Sequence, residues 1–517
     1  MVCCSAGLVG RLLAGGLVAP GWLFFPMNYT PKTKPFEHQR ELFERTRDLE
    51  AHALFWEPGV GKTKPTIDTI GHLFAEGKIN GALVLAPKAV APNWMLDELP
   101  LHLGCEATTF LWDTAKAGNK GYQEALDVFL DTPRDQLAVL VMSYDAIMTE
   151  RKKGAARGLK KGLEAAQAML KERDSIMVLD ESARIKNPDS KRTKRVTAAG
   201  KHAKFRRILT GTPVVNSPFD VFAQLRFLDP EVWASIGCSS FASFKAHFGV
   251  WMEHTRNDNG QSFKTLIDYQ NMTQLAKFVD QLGSRLLKTS VLDLPPKMYE
   301  KRTFTMTAEQ KRLYEKMKKE FIIWLDSDMV TAPLAITRML RLQQITSGFC
   351  PTDDGNTIVI EPNPRIACVL EAIEDLQHQC IIWCKYQKTI DLIAAALTKA
   401  GKTNVVYDGR VNQTDRETRR EAFKAGEAQF FVANPAAAGE GLTLHMAKTV
   451  VYAENSYKLG DRLQSEDRAH RAGMDDNPVL YIDVVAEATI DAVILRALRN
   501  KVDLANQITG DKIKTWI

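Results

Sequence analysis

Short apolar runs alternate with stretches of helical periodicity twice along this chain. In the first half the runs fall at residues 51–56, 82–86, 137–142, 176–179 and 207–209, and in the second at 380–383, 404–407, 429–432, 449–452 and 480–485. Continuous apolar runs of four to eight residues, separated by amphipathic helices, read as strands buried on both faces, so the pattern predicts two parallel α/β sheets. A different texture lies between them, from about Trp233 to Asn363, with helical periodicity, aromatic residues and the turn Leu294-Pro295-Pro296-Lys297. That stretch is expected to be a helical insertion and linker. The expected division is an N-terminal extension over 1–27, a first α/β lobe over 28–232, the insertion over 233–362, a second lobe over 363–504 and a tail over 505–517. No short internal repeat is visible, so the halves are alike in architecture and not in sequence.

Chemistry sits just beyond the strand ends. The run at 176–179 ends in Asp180-Glu181. At the rim of a parallel sheet, one carboxylate can hold a magnesium ion through water while the other orients or deprotonates a water attacking a γ-phosphate. A solvated acid pair after a core strand would look the same, so a second signal is needed. It lies upstream, where the run at 51–56 leads into Glu57-Pro58-Gly59-Val60-Gly61-Lys62-Thr63 and then a helical pattern through Ala75. Gly59 and Gly61 let backbone N–H groups turn toward phosphate oxygens, Lys62 places a charge on the β and γ phosphates, and the Thr63 hydroxyl can ligate magnesium. The fuller phosphate-loop pattern has glycine where this chain has Trp56, so the match is to the shorter GxGKT core.

A third group lies near the other end. Gln464, Arg468 and Arg471 are spaced i, i+4 and i+7, which puts all three on one helix face. A guanidinium fork suits phosphate oxygens and keeps its charge, as an arginine finger requires. Because Glu466 and Asp467 lie between them, a salt-bridged surface helix is the competing reading.

Charge and composition sharpen this only locally. The 517 residues carry a net charge of +6 with 45% hydrophobic and 25% charged residues, ordinary for a globular protein, so nucleic-acid affinity has to come from patches. From Arg184 to Arg207 there are ten Lys or Arg residues against the single acid Asp189. Position next to the acid pair favours phosphate contact over a solvated helix face. A second basic cluster, Arg151 to Lys161, is expected to be a mobile loop. Eight scattered cysteines, with no CxxC pair and no histidine at zinc-ligand spacing, fit free thiols and exclude a zinc site of that kind. No segment after the N-terminus approaches 18 uninterrupted apolar residues, so no membrane span is expected. The first 26 residues are apolar with Arg11 their only charge, superficially like a signal peptide; Met27 is expected to be the true start.

Together these residues resemble the Swi/Snf-type branch of helicase superfamily two, ATP-driven translocases on double-stranded DNA. The resemblance runs in order from about Phe36 to Leu504. Phe36-Glu-His-Gln39 resembles the adenine-reading glutamine motif, and Gly59 to Thr63 motif one. Val84-Leu-Ala-Pro87-Lys88 with Trp94 is similar to motif one-a, and Met142-Ser143-Tyr144 to one-b. Asp180-Glu181-Ser-Ala183 with its basic tail is similar to motif two, and residues 209–217 running on to 227–230 to motif three. Asp293 to Lys297 resembles the entry to the second lobe. Asp408-Gly409, Gly439-Glu-Gly441-Leu-Thr443 and Gln464 to Gly473 resemble motifs four-a, five and six. The resemblance implies two RecA-like lobes closing on ATP and Mg2+. Lobe one would supply Gln39, Gly59, Val60, Gly61, Lys62, Thr63, Asp180 for the metal and Glu181 as base; lobe two would supply Gly441, Gln464, Arg468 and Arg471. It further implies DNA-backbone contacts by Lys88, Ser143, Tyr144, Lys385, Tyr386 and Thr443. Duplex DNA would be the partner, with replication or repair proteins, in a bacterial or phage-infected cytoplasm. A strand-separating DNA or RNA helicase and an ATP-inactive DNA-binding scaffold are the alternatives. One departure stands out: Ala183 replaces the histidine that links motif two to motif three, which implies looser coupling of hydrolysis to DNA.

Overall fold

A computed structural model describes residues 29–148, 161–255, 262–326, 332–352, 354–436, 442–471, 474 and 477–509. The apolar leader, residues 151–160 of the second basic cluster, Gly439, Gly441 and Gly473 lie outside the described residues. The strands in chain order are β1 (Ala51–Trp56), β2 (Gly81–Ala86), β3 (Ala107–Leu111), β4 (Leu137–Ser143), β5 (Ser175–Asp180), β6 (Phe205–Leu209), β7 (Gly249–Thr255), β8 (Ser262–Tyr269), β9 (Gly283–Leu286), β10 (Lys297–Phe304), β11 (Phe349–Pro351), β12 (Thr357–Val359), β13 (Cys380–Trp383), β14 (Asn404–Tyr407), β15 (Phe430–Ala433), β16 (Thr449–Tyr452) and β17 (Val479–Ala486). Two parallel sheets form, in the orders β3-β4-β2-β5-β6-β1-β9 and β10-β17-β16-β13-β15-β14.

The apolar runs become central strands because both faces of each sheet are covered. In the first sheet Leu83, Leu85, Leu140, Met142, Met177 and Leu179 face one core. Their neighbours Ala82, Val84, Val139, Val141, Ile176 and Val178 face the other. The second sheet repeats this, with Cys380, Ile382, Phe430 and Val432 on one side and Ile381, Trp383, Phe431 and Ala433 on the other. Each buried side chain of this size stabilises by roughly 1.5–3 kcal/mol over an exposed one.

The region expected to be a helical insertion is mixed. It does hold the helices Met272–Leu282, Ala308–Asp326 and Ala332–Thr346. It also holds the antiparallel hairpin β7–β8 and an edge strand of each sheet: β9 pairs with β1 and β10 with β17, both in parallel. The linker thus leaves the first sheet at residue 286 and enters the second at 297. The expected tail is in part the end of the helix Ile490–Thr509, whose Ile508 is buried in the core of the first lobe.

Candidate active site

The phosphate-loop residues leave β1 in a tight turn that needs its glycines. Gly59 and Gly61 have φ of +89° and +78°, a region other residues adopt only at a cost. A Cβ on Gly61 would also lie 2.3 Å from Nε2 of Gln39. That amide donates to the Gly61 carbonyl at 3.0 Å, and His38 Nε2 sits 3.0 Å from the Val60 carbonyl, so the segment resembling the glutamine motif braces the loop directly. The helix Thr63–Ala75 follows with no side-chain cap on its first turn, which leaves N-terminal amides available to an anion. Lys62 Nζ donates to the carbonyls of Trp56 at 3.0 Å and Glu57 at 3.3 Å. Burial lowers its pKa, against the pull of Glu181 and Asp180.

The acid pair emerges from β5 beside it. Asp180 is buried, and its Oδ2 accepts from the indole of Trp94 at 2.8 Å. Tyr144 donates its hydroxyl to the Asp180 carbonyl at 2.8 Å. Glu181 sits in the left-handed region at φ 53°, a strained conformation for a non-glycine residue that needs surrounding structure to hold it. Its Oε2 accepts from the Thr210 hydroxyl at 3.2 Å, and burial raises its pKa, with Lys62 opposing. A carboxylate held this way is a better proton acceptor than an exposed glutamate. At the motif-two departure, Ser182 donates to Gln224 Oε1 at 2.8 Å while Gln224 Nε2 donates to the Pro213 carbonyl at 2.8 Å. With Thr210, these bonds tie the end of β5 to the loop at 210–217, although position 183 is alanine.

From the second sheet the helix Leu459–Ala469 brings Gln464, Arg468 and, just beyond its end, Arg471. Arg471 reaches the first lobe: a Cβ on Gly59 would lie 3.8 Å from its Cγ. Its Nη1 donates to Thr443 at 3.1 Å, and Arg468 Nη1 donates to the Leu442 carbonyl at 3.2 Å. Gln464 and Glu181 line one cleft between the lobes. The competing surface-helix reading fails here, because Glu466 is buried and binds Lys297 at 2.9 Å and Arg462 at 2.8 Å, and Asp467 pairs with Lys288.

The expected DNA contacts do not form a single exposed patch. Lys88 is exposed at the end of β2, and Ser143 is half-buried at the end of β4. Tyr144 is only 1% exposed, so it braces Asp180 and cannot present itself to a nucleic-acid backbone; that expectation is corrected. Lys385 and Tyr386 are half-buried against Gln343, at 2.5 Å and 3.2 Å, and Thr443 holds Arg471. Basic residues gather elsewhere. Arg184, Lys186, Lys191 and Arg192 from the first lobe and Lys458 from the second line a cleft of about 840 Å³. The basic stretch after the acid pair is therefore part of an inter-lobe wall. The sequence placed Trp94 in the stretch similar to motif one-a without a partner, and gave Lys288 no role. An indole in the core must find an acceptor, but its partner lies 86 residues away and no spacing reveals it.

Among the described residues, no group of three or more His, Cys, Asp and Glu side chains gathers as a metal site, and no helix is long and apolar enough to cross a membrane. The six described cysteines are free thiols.

Comparison with known proteins places these features. The family model described as SNF2-related domain matches residues 38–349, and that of the helicase conserved C-terminal domain matches 364–473. "Chromodomain-helicase-DNA-binding protein 1-like" of Danio rerio is 25% identical over 467 residues, covering 87% of this chain and 41% of that protein. "ATP-dependent helicase brm" of Drosophila melanogaster is 24% identical over 482 residues, covering 87% and 27%. This chain thus spans well under half the length of these relatives. Among solved structures, the Sulfolobus solfataricus SWI2/SNF2 ATPase core in complex with dsDNA is 20% identical and covers 95% of this chain and 96% of its own, with a TM-score of 0.39.

Proposed function

Because this chain belongs to the SNF2-related family and resembles a relative named as an ATP-dependent helicase, we propose that it hydrolyses ATP under stimulation by duplex DNA and uses the turnover to move along it. The observation that carries this reading is Arg471 of the second sheet lying against Gly59 of the first, which gives two lobes one shared phosphate site.

The residues present fit a magnesium nucleotide. The uncapped helix start at Thr63 and the amides of Gly59, Val60 and Gly61 offer N–H groups to phosphate oxygens, with the half-buried Lys62 among them. Magnesium usually takes one or two carboxylates along with phosphate oxygens and water, so Asp180 and Thr63 suffice without a cluster of protein ligands. Gln39 and Gly441 complete the nucleotide set. When bound, ATP supplies the phosphoryl group and Mg2+ neutralises its charge. Glu181, with its raised pKa, takes the proton of the attacking water. Trp94 fixes the carboxylate of Asp180. Arg468 and Arg471 stabilise the charge that develops during transfer, a contribution of about 10³ to 10⁵ in rate for such fingers, and Gln464 orients the groups between them.

Nucleic acid is read as entering between the lobes, against Arg184, Lys186, Lys191, Arg192 and Lys458, with Lys88 at the rim. Contacts of this kind neutralise phosphates without reading sequence. The Danio rerio relative, named as DNA-binding, supports DNA as the partner. Replication, repair or recombination in a bacterial or phage-infected cytoplasm is the proposed setting.

Hydrolysis measured with no nucleic acid, single-stranded DNA, duplex DNA and duplex RNA in parallel tests this. Turnover stimulated most by duplex DNA is the expected outcome. Equal or greater stimulation by single strands or RNA would replace it with the strand-separating helicase, and no turnover in any arm would replace it with the inactive scaffold.

A further inference from the structure

The chain crosses from the first sheet to the second through residues 288–297, and both ends of that crossing are fixed to neighbouring acids on one helix. At the first-lobe end, the Lys288 backbone N–H donates to Glu57 Oε2 at 2.7 Å, which anchors it at the start of the phosphate loop. Its side chain is buried, with Cε 3.6 Å from where a Gly59 Cβ would be. Nζ pairs with the Asp467 carboxylate and donates to the His470 carbonyl at 3.0 Å. At the second-lobe end, Lys297 Nζ pairs with Glu466 Oε2 at 2.9 Å, and the Tyr299 hydroxyl donates to the same oxygen at 2.9 Å. Between them the Pro295 carbonyl lies 2.8 Å from His470 Nε2. Glu466, Asp467 and His470 are interleaved with Gln464, Arg468 and Arg471 on the same short stretch. One set of side chains faces the crossing segment and the other serves the candidate site.

We infer that residues 288–297 form a strap that sets the position of the arginine-bearing helix over the phosphate loop, with the Lys288–Asp467 pair as its cross-lobe fastening. The Lys297 contacts lie within the second lobe and persist however the lobes sit. Lys288 belongs to the first lobe and Asp467 to the second, so this pair forms on closure and must break for the lobes to part. Lys288 is buried and Asp467 is 15% exposed at its side chain, so neutralising Asp467 strands the lysine's charge away from water, which biases the molecule against the closed arrangement. A cavity of about 410 Å³, lined by Glu57, Pro295, Glu466, Asp467 and His470 among others, lies along the strap and gives it room to shift. Lys288 and Asp467 are positioning residues that act through Arg468 and Arg471. This inference rests on the ATPase reading only for its kinetic consequence; its structural half stands apart from it.

The test compares the full chain with Lys288→Met, with the isosteric Asp467→Asn, and with the swapped pair Lys288→Glu and Asp467→Lys. Circular dichroism melting identifies the folded variants, and Asp467→Asn keeps the test decisive if Lys288→Met does not fold. Small-angle X-ray scattering without nucleotide is expected to show each single variant expanded and the swapped pair returned toward wild type. In duplex-DNA-stimulated hydrolysis, kcat of the single variants falls roughly 10- to 100-fold, the scale of a catalytic group displaced by about an ångström. KM for ATP changes far less, and the swap recovers most of the loss. Folded single variants with wild-type scattering and kcat, or a swap no better than either single change, would overturn the strap. If the wild type hydrolyses nothing while the single variants still expand, the ATPase reading fails and the strap stands.

Discussion

Trp94 and Tyr144 both hold Asp180, one by its carboxylate and one by its carbonyl, each at 2.8 Å. A carboxylate that serves a metal through water needs a fixed direction, and outer contacts of this kind change metal affinity or activity by about 10- to 100-fold when removed. Trp94→Phe keeps an aromatic ring in the buried site but removes the N–H donor together with the five-membered ring of the indole. Its magnesium requirement for hydrolysis is therefore expected to rise about tenfold in a metal titration, and an unchanged requirement would show that Asp180 is oriented by other means. At this scale the sequence was legible where chemistry is local. Gly59, Gly61, Lys62, Asp180 and Glu181 stand out because the proposed phosphate loop and strand-end acid pair would need those residue types in adjacent positions, and they do lie at the ends of β1 and β5. Tyr144 was misread because a tyrosine after a strand looks the same whether its hydroxyl faces solvent or a carbonyl 36 residues away.

Among elements, the central strands and the edge strand β14 were readable, while the edges β3, β9 and β10 were not. β2, β4 and β5 are apolar on both faces and announce themselves as continuous runs. β9 has four residues, all half-buried, and β10 is half-buried or exposed from Lys297 to Thr303 with only Phe304 buried; neither gives a run. They were absorbed into a region of helical texture, although each closes a sheet. The helix Leu459–Ala469 carries a second lesson: its acids looked like partners for Arg468 and Arg471, yet Glu466 binds Lys297 and Arg462, and Asp467 binds Lys288. Burial would raise the pKa of Glu466, but Lys297 and Arg462 outweigh it and bring the value from 4.5 to about 2. A folded pKa below the unfolded one means stability that is fully present above about 4.5 and lost as pH falls toward 2. Glu466→Gln is expected to lower the unfolding midpoint at neutral pH and to flatten the decline of stability across that acid window. A wild-type slope there would remove Glu466 as the source of the linkage.

For the whole molecule, the function depends on two parallel sheets meeting at one site. Each sheet is complete without the other, but the phosphate loop lies on the first and the arginines on the second. The crossing strap and the final helix, whose Ile508 returns to the first core, hold them together. No sequence spacing could reveal this, since the paired residues lie as far apart as Lys288 and Asp467, 179 positions from each other. The motifs were visible one by one, and only the fold brings Arg471 to Gly59. That juncture is the central claim, and the most direct test of it is ATP turnover by Arg471→Ala beside wild type in saturating duplex DNA, with nucleotide binding measured on both. The shared site predicts that turnover falls about 10³-fold while binding changes little. Wild-type turnover by the folded variant would contradict it.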